Sequence, residues 1–362
     1  MRLLLALAIA CTLRANSLAD FDAFAEAVRK GWNVPGAAVA IVKDGKVILS
    51  KGYGFRDTAK QLPVTPETLF AIGSITKSFT VVALGTLVDE KKLDWDKRVR
   101  EYLPDFQLHD AVATERMTPR DLVTHRSGLP RHDMVWYGGS LSRQQMYERL
   151  RHLEFSRDFR AQYQYNNLMF MTAGVLAGKV AGSTWEDVVR RRILDPLGMR
   201  HSNFSVRDSQ RAPDHALPYS RRKGEIQPVP FRNLDEIAPA GAINSSVEEM
   251  SRYLLMHLAD GAWEGKTLLS KAQINQMHSP QMVTPPVARR YKELGHATYG
   301  LGLGIATYRG RKMISHAGGI DGFTALLSFL PDEQIGVIAL TNLSGSPLAQ
   351  ILTHAAFDRL LA

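Results

Sequence analysis

The spacing of apolar residues indicates strands near both ends of the chain and helices in its middle. After residue 20, FDAFAEAVRKGW has apolar residues at helical spacing. The next stretch, GAAVAIVKDGKVILSKGYGF, predicts a β-hairpin of two apolar-rich strands around Asp44-Gly45. The apolar positions of residues 75–91 then predict a helix that is largely buried.

Residues 93–271 carry mostly helical signals, separated by loops rich in Pro, Gly and His. Ser246, three residues before Glu249, forms a capping-box pattern at the start of one such helix. From Tyr299 onward the sequence predicts strands again, including a close-packed strand across the glycines of residues 300–304. The chain closes in an amphipathic helix, whose expected apolar side holds Leu348, Ile351, Leu352 and Ala355.

This order of elements predicts an α+β fold in which one antiparallel sheet is built from both ends of the chain and flanked by helices, with an inserted all-helical region. Residues 20–92 and 272–362 are assigned to the sheet domain, and residues 93–271 to the mostly helical region. At 362 residues the chain is long enough for a sizeable buried core.

The first residues, MRLLLALAIACTLRANSLAD, have the features of an export signal. A basic Arg2 precedes a short apolar run and then small residues, which predicts a signal peptide over residues 1–19 and a cut before Asp20. Cys11 follows small residues and is an alternative site for a lipid anchor, and a helix of a cytoplasmic protein is a third interpretation. We expect an extracytoplasmic protein, periplasmic or secreted, without a transmembrane helix, because no apolar run reaches about 18 residues.

Composition excludes several classes of chemistry. Cys11 is the only cysteine, so thiol catalysis and thiolate metal sites are not expected. The histidines are dispersed and no His-Glu-x-x-His occurs, so we expect neither a metal nor another cofactor. The net charge is +9, but the basic clusters are scattered and lack interleaved aromatic residues, which argues against a nucleic-acid partner.

A serine and a lysine stand three residues apart at the start of the predicted buried helix. Ser74 and Lys77 would share a helix face, so the lysine amine can reach the serine hydroxyl. A hydroxyl becomes nucleophilic when a nearby base takes its proton, and burial lowers the pKa of a lysine enough for that task. A second Ser-x-x-Lys, Ser220 to Lys223, lies in a polar basic stretch and is a chance match.

Two further patterns are weak alone. Tyr165-Asn166-Asn167 precedes an apolar helix rich in small residues. In a catalytic interpretation, Tyr165 can relay a proton and Asn167 can bind a substrate amide. In a structural interpretation, Tyr165 is a packing residue and Asn166 or Asn167 caps the helix. His316-Ala317-Gly318-Gly319 lies on or leaves a strand. Gly318 and Gly319 allow close approach of the backbone to a ligand, and an N–H there can contribute to an oxyanion hole.

Together, the three patterns resemble the serine β-lactamase and penicillin-binding protein family, in particular its class C β-lactamase-like (CubicO-type) serine hydrolases. The motifs Ser-x-x-Lys, Tyr-x-Asn and His-x-Gly occur in the family's order. Stretches such as TPETLFAIGSITKSF, MTPRDLVTHRSGLP, PAGAINSSVEEMSRYL and HAGGIDGFTALLSFLPDEQIGVIALTN look like further landmarks of that group. The resemblance covers roughly residues 30–345.

The resemblance implies a role for each motif residue. Ser74 would be the acylated nucleophile, Lys77 its general base, and Tyr165 the group that shuttles protons to the leaving group. Asn167 would line the site, and His316 would stand opposite on an edge strand. The N–H groups of Ser74 and Gly319 would form the oxyanion hole, with Gly318 beside them. Whether Lys77 or Tyr165 activates the deacylating water is left open.

One departure from the family pattern affects the expected substrate. Typical β-lactamases and carboxypeptidases of the family carry Lys-Thr-Gly where this chain has His316 and Ala317, so a hydroxyl is lost and the positive charge depends on pH. The leading expectation is therefore an exported serine hydrolase acting on small esters or D-amino-acid peptides. A class C-type β-lactamase or DD-carboxypeptidase, and a non-catalytic penicillin-binding or ligand-trapping envelope protein, remain alternatives. The oligomeric state is left open.

Overall fold

The computed structural model describes residues 18–285 and 292–362. Most of the predicted signal peptide, residues 1–19, lies outside the described residues, and so does Cys11. Within the described part of the chain, no helix combines the length and the apolar character needed to cross a membrane.

An antiparallel sheet of nine strands forms the centre of the described structure. The order of the strands across the sheet is β10-β11-β12-β13-β14-β15-β1-β2-β3. The sheet joins both ends of the chain, because β1 pairs with β2 on one side and with β15 on the other. Its strands are β1 (Gly36–Lys43), β2 (Lys46–Asp57), β3 (Leu62–Pro63), β10 (Met282–Val283), β11 (Thr298–Tyr299), β12 (Gly304–Tyr308), β13 (Arg311–Ile320), β14 (Phe323–Leu330) and β15 (Ile335–Thr341). The α+β fold expected from the sequence is confirmed.

Helices cover both faces of the sheet. On one face lie α1 (Phe21–Gly31) and α12 (Leu348–Leu361). The remaining helices are α2 (Thr76–Asp89), α3 (Ala111–Arg116), α4 (Pro119–Leu122), α5 (Arg143–Arg149), α6 (Asn167–Ala181), α7 (Trp185–Val189), α8 (Val206–Ser209), α9 (Ala238–Gly241), α10 (Val247–Leu258) and α11 (Lys271–Met277). A π-helical stretch follows α7 (Arg190–Leu194), and 3₁₀ turns cover Gly73–Ile75, Val99–Glu101, Asp133–Val135, Leu150–His152 and Asp235–Ile237.

Three two-stranded ribbons complete the structure: β4 (Phe70–Ala71) with β7 (Asn244–Ser245), β5 (Tyr219–Arg222) with β6 (Glu225–Pro228), and β8 (Ala262–Trp263) with β9 (Lys266–Thr267). The first of these joins the segment before Ser74 to the segment before α10. The second carries the other Ser-x-x-Lys on an exposed hairpin, where Lys223 is in the turn.

The predicted hairpin forms as expected, with Asp44 and Gly45 both at positive φ in the turn between β1 and β2. Alternate residues of β1 then face opposite sides of the sheet. Val39 and Ile41 pack toward α1 and α12, whereas Ala38 and Ala40 join the core shared with the helical region. The small side chains on that second face let α10 pack closely against the strand.

Helix α2 is buried around most of its circumference, so its position in the fold is fixed on all sides. Every residue from Thr76 to Leu87 is buried. Helix α6 packs against it and is rich in Gly, Ala and Met, which lets the two helices approach closely. The two helices that begin at the predicted motifs are thus neighbours in the core.

Three details differ from the sequence expectations. The glycines of residues 300–304 do not form a continuous strand, because Gly300 to Leu303 make a turn between β11 and β12. Gly302 has φ +69°, and a Cβ there would stand 2.7 Å from Val81 Cγ2 and 3.1 Å from the carbonyl oxygen of Lys77. The turn therefore presses against α2, which only glycine permits.

The other two differences concern helix ends and faces. Ser246 caps α10 as expected, but the Glu249 carboxylate does not return to Ser246 and instead accepts hydrogen bonds from the N–H groups of residues 201 and 202. In α12 the residues Ile351 and Ala355 are only partly buried. The face buried against the sheet contains Leu348, Ala349, Leu352, Thr353, Ala356, Phe357 and Leu360.

Candidate active site

Ser74 stands on a tight turn at the entrance to α2. The 3₁₀ turn of residues 73–75 leads directly into the helix, so Lys77 lies one turn later on the same side. Gly73 has φ +52°, and a Cβ on it would lie 2.8 Å from the backbone nitrogen of Gly319. The approach of β13 to this turn therefore requires glycine at position 73.

Lys77 is fully buried, and its amine has three polar neighbours. Nζ lies 2.8 Å from Oδ1 of Asn167, 2.7 Å from the carbonyl oxygen of Ala240 and 3.1 Å from Oγ of Ser74. Burial, reinforced by the charge of Arg131, holds the pKa of Lys77 well below its usual value of 10.5.

The hydrogen-bond partners of Lys77 direct its lone pair at the serine. Asn167 Oδ1 and the Ala240 carbonyl can only accept hydrogen bonds, so they take both hydrogens of a neutral amine. In that neutral form the lone pair of the amine faces Ser74 Oγ, 3.1 Å away, and can accept the proton of the hydroxyl group. This is the arrangement that a general base needs.

Tyr165 approaches Ser74 from the other side. It lies just before α6, whose first N–H groups are capped by Asn166 Oδ1 accepting from the N–H of Met169. The Tyr165 hydroxyl donates to Ser74 Oγ over 2.7 Å. Burial raises the pKa of Tyr165 to about 12, although the hydrogen bond with Ser74 and the charge of Arg131 oppose this rise. The phenol is therefore protonated and able to donate.

Asn167 has both ends of its amide engaged within the protein. Oδ1 accepts from Lys77, and Nδ2 donates to Oδ1 of Asp133 over 3.1 Å. Asp133 also accepts from Nε1 of Trp136 and from Nε of Arg131. Asn167 lines the cleft, as the sequence predicted, but its contacts orient the amine of Lys77 rather than leave a free donor and acceptor pair.

The two glycines of β13 differ in what surrounds them. A Cβ on Gly318 would stand 1.9 Å from the carbonyl oxygen of Ile72, so the strand and the turn before Ser74 are in direct backbone contact. A Cβ on Gly319 would have none of the surrounding residues within 4 Å. The structure thus brings Gly319 beside Gly73 and Ser74, with open space above it for a substrate oxygen.

His316 is buried and faces the same side of the sheet as the site. Its Nδ1 lies 2.7 Å from the Ala317 carbonyl, which requires Nδ1–H to donate, so Nε2 accepts from the Tyr299 hydroxyl at 3.0 Å. Burial lowers the pKa of His316 to about 3. The imidazole is therefore neutral and supplies no positive charge where the family pattern has lysine.

The strand that carries His316 is an edge strand only in its second half. Strand β12 pairs with β13 from Arg311 to Ser315, so β13 lies inside the sheet there. The pairing on that side ends before His316, and the backbone from His316 to Ile320 borders the site. The expectation of an edge position holds for this segment alone.

His125 packs directly against Tyr165. The ring centroids are 4.2 Å apart, and Nδ1 accepts from the N–H of Asn166 over 3.0 Å. Burial holds the pKa of His125 well below its usual 6.5, so the ring is neutral. It supports the backbone and the ring on which the Tyr165 hydroxyl depends.

A cleft of about 70 Å³ opens over Ser74. Its walls are mostly apolar, and a single guanidinium, that of Arg131, lies among the lining residues, 4.9 Å from the centre of the Tyr165 ring. The lining residues are Gly73, Ser74, Arg131, Trp136, Asn167, Leu234, Ile237, Ala240, Gly241, Gly319 and Ile320. Lys77, Tyr165 and His316 stand behind this lining.

Several residues of the site were not singled out from the sequence. Asp133 links Asn167 to Arg131, the carbonyl of Ala240 takes a hydrogen of Lys77, and Tyr299 donates to His316. None of these residues belongs to the three motifs, and each contact joins segments that are not neighbours along the chain.

Comparison with known proteins agrees with this geometry. Residues 24–361 match the family model described as Beta-lactamase. The chain is 32% identical over 338 residues to unguisins hydrolase ungD' of Aspergillus campestris, an alignment that covers 88% of this chain and 61% of that protein. It is 24% identical over 344 residues to protein flp of Staphylococcus aureus, with 94% of this chain and 66% of that protein covered. The chain thus spans somewhat less than two thirds of these relatives.

Two kinds of solved structure share the fold. The octameric penicillin-binding protein homologue from Pyrococcus abyssi superposes with a TM-score of 0.84 at 30% identity, over 95% of this chain and 77% of that one. D-amino acid amidase from Ochrobactrum anthropi SV3 gives a TM-score of 0.75 at 21% identity, over 94% and 97% of the two chains. With its β-lactamase/transpeptidase-like fold, the chain belongs to the beta-lactamase family of serine hydrolases.

Proposed function

We propose that this protein hydrolyses small esters or peptide bonds, including those of D-amino acids, through an acyl-enzyme on Ser74. The observation that carries the proposal is the position of Ser74 Oγ, 2.7 Å from the Tyr165 hydroxyl and 3.1 Å from Lys77 Nζ. A protonated donor and a neutral amine on either side of one hydroxyl are what nucleophilic catalysis by serine requires.

In the acylation step, Ser74 Oγ attacks the carbonyl carbon of the substrate as its proton passes to Lys77 Nζ. The N–H groups of Ser74 and Gly319 receive the oxyanion. The bond between the carbonyl carbon and the leaving group then breaks, and the leaving group takes the proton from Lys77 with the Tyr165 hydroxyl as relay. This leaves Lys77 neutral again.

Deacylation repeats these steps with water as the nucleophile. Water attacks the acyl carbon and gives up a proton to the pair of Lys77 and Tyr165. When the ester bond to Ser74 breaks, its Oγ takes that proton back. The enzyme returns to its starting state with one water consumed, which balances the hydrolysis.

Two observations support the substrate class. A hydrolase, unguisins hydrolase ungD', is among the relatives at 32% identity. The neutral His316 offers no cation to the carboxylate of a β-lactam or of a D-Ala-D-Ala peptide at the position where the family has Lys-Thr-Gly. Esters and peptides that do not need this cation therefore fit the site better.

The test is a rapid-mixing time course of p-nitrophenyl acetate cleavage by the wild type and by Ser74→Ala. We expect a burst of about one equivalent followed by steady turnover, absent in the variant. Ser220→Ala, in the other Ser-x-x-Lys, is the matched control and should behave as wild type. Unchanged activity in Ser74→Ala would contradict the proposal, a burst without turnover would indicate a ligand-trapping protein, and efficient nitrocefin turnover a β-lactamase.

We further propose that the protein is exported and loses residues 1–19. The support is the sequence alone, with its basic, apolar and small-residue segments. N-terminal sequencing of the protein from its native cells should begin at Asp20. A lipid-modified Cys11 would instead identify an anchored form, and an intact N-terminus would contradict export.

A further inference from the structure

Three separate loops of the cleft wall meet at one carboxylate. Asp321, in the turn between β13 and β14, accepts a hydrogen bond from the Tyr137 hydroxyl on Oδ1 over 2.7 Å. Its Oδ2 accepts from Nε of Arg232 over 2.8 Å. The guanidinium of Arg232 also lies over the Tyr137 ring, 4.3 Å from its centre, which closes a triangle of contacts.

Each member of this triangle stands next to a residue that lines the cleft. Trp136 precedes Tyr137, Ile320 precedes Asp321, and Leu234 follows Arg232 by two positions. The three apolar walls are therefore joined to each other by Asp321 and its two partners. None of the described contacts of these three side chains reaches Ser74.

The space enclosed by these walls is small. A cleft of about 70 Å³ is well below the roughly 300–1,000 Å³ of pockets that bury drug-sized ligands. It has room for a short acyl group over Ser74 and not for a long one. A larger group can enter only if at least one wall moves outward.

We propose that Tyr137, Asp321 and Arg232 limit the size of the acyl group that the site accepts. The inference rests on the proposed function, since it concerns the cleft over Ser74. The three side chains are about one third exposed, so the contact is of the exposed kind that adds little stability and breaks readily. Opening it would release Trp136 with its loop, while Phe231 keeps the Arg232 segment anchored against Phe323.

The chain provides a matched control far from the cleft. Asp358 on α12 accepts from the Tyr308 hydroxyl over 2.7 Å and pairs with Nε of Arg309, also over 2.7 Å. This is the same combination of tyrosine, aspartate and arginine, on the opposite face of the sheet. Substitution of Asp358 removes the same kind of carboxylate contact but leaves the residues of the cleft walls unchanged.

The experiment compares kcat/KM for p-nitrophenyl octanoate and acetate in the wild type, Asp321→Asn, Tyr137→Phe and Asp358→Asn. We expect the octanoate-to-acetate ratio to rise about two- to fivefold in the first two variants and to stay at the wild-type value in Asp358→Asn, because one exposed contact of this kind shifts an equilibrium by up to about fivefold. An unchanged ratio, or an equal rise in Asp358→Asn, would overturn the inference.

Hydrogen exchange on the same proteins separates this inference from the proposed function. Backbone amides of residues 132–141 should exchange faster in Asp321→Asn than in the wild type or Asp358→Asn, whether or not any ester is cleaved. Unchanged exchange would remove the basis of the size limit. Absence of Ser74-dependent turnover, with faster exchange, would instead contradict the proposed function alone.

Discussion

In its neutral form the Lys77 amine has two hydrogens and two neighbours that can only accept, and this count underlies the proposed role of the residue as a base. Asn167 Oδ1 and the Ala240 carbonyl hold the amine in one orientation, with its lone pair toward Ser74. Protonation would add a third hydrogen in the direction of the serine and remove the base. Burial of the amine lowers the pKa of Lys77 well below its usual value, which favours the neutral form.

The pH dependence of the reaction follows from these groups. The kcat/KM for p-nitrophenyl acetate should rise with pH as Lys77 loses its proton, and this rise should end well below the usual lysine value of 10.5. His316, with its pKa lowered to about 3, should contribute no step near 6.5. His316→Gln should therefore keep the shape of the profile. A rising step near 6.5 that disappears in this variant would show that the histidine titrates.

Tyr165 should matter most for substrates whose leaving group needs a proton. Tyr165→Phe removes the hydroxyl that donates to Ser74 Oγ, and loss of a positioned proton donor costs about 10²- to 10⁴-fold in rate. We expect this loss for a p-nitroanilide and a smaller one for the p-nitrophenyl ester, whose phenolate leaves unprotonated. The control is Tyr163→Phe, which removes the hydroxyl of a neighbouring, partly buried tyrosine that has no described hydrogen bond to Ser74. Equal losses for both substrates would contradict the relay.

At the scale of elements, the site is the contact between the second half of β13 and the turn that begins α2. The strand is open on this side, and its glycines let it touch the turn backbone to backbone. A side chain at Gly73 or at Gly318 would separate the two elements. The spacing between Gly319 and Ser74 therefore depends on missing Cβ atoms rather than on any side-chain interaction.

Gly318→Ala and Gly319→Ala should differ sharply in stability. The first places a Cβ 1.9 Å from the Ile72 carbonyl, and forced overpacking of this kind costs about 1–3 kcal/mol, with a backbone clash at the upper end. The second adds a methyl group to open space and should leave the melting temperature nearly unchanged. Thermal unfolding followed by circular dichroism compares the two. Equal melting temperatures would mean that β13 can move away from the turn freely.

Local patterns in the sequence predicted most of the elements and the proximity of Ser74 and Lys77, because hairpins and helix faces are encoded by neighbouring residues. The pairing of Ser74 with Lys77 could be predicted in this way, because the two residues are one helical turn apart. The contacts of Asn167 with Asp133 and of His316 with Tyr299 were not, since each joins two elements that the local pattern of residues does not relate to each other. The turn at Gly302 was also missed, because glycine in a strand-like stretch gives no sign of a neighbouring helix.

At the scale of the whole molecule, the sheet and the helical region share one apolar core. Ala38 and Leu327 of the sheet belong to the same buried cluster as Phe170 and Trp185 of the helices. The division into a sheet domain (residues 20–92 and 272–362) and a mostly helical region (residues 93–271) therefore stays a prediction. Its parts pack against each other through α2 and α6.

A shared core predicts that these parts unfold together. In urea, tryptophan fluorescence and far-ultraviolet circular dichroism should change with a single common midpoint, because neither region keeps its buried surface when the other is lost. Most tryptophans lie in residues 93–271, so fluorescence reports mainly on that region. A fluorescence midpoint at clearly lower urea would show instead that the helical region unfolds separately.

The position of β1 between β2 and β15 has a consequence for the nascent chain. Val39 and Ile41 are synthesised long before residues 335–361, in which one edge of their strand and much of their apolar surface find partners. At about 5–20 residues per second, the ribosome takes on the order of tens of seconds to supply them. During that interval β1 and β2 form a hairpin with an uncovered edge, which makes the unfinished chain a natural client for a chaperone.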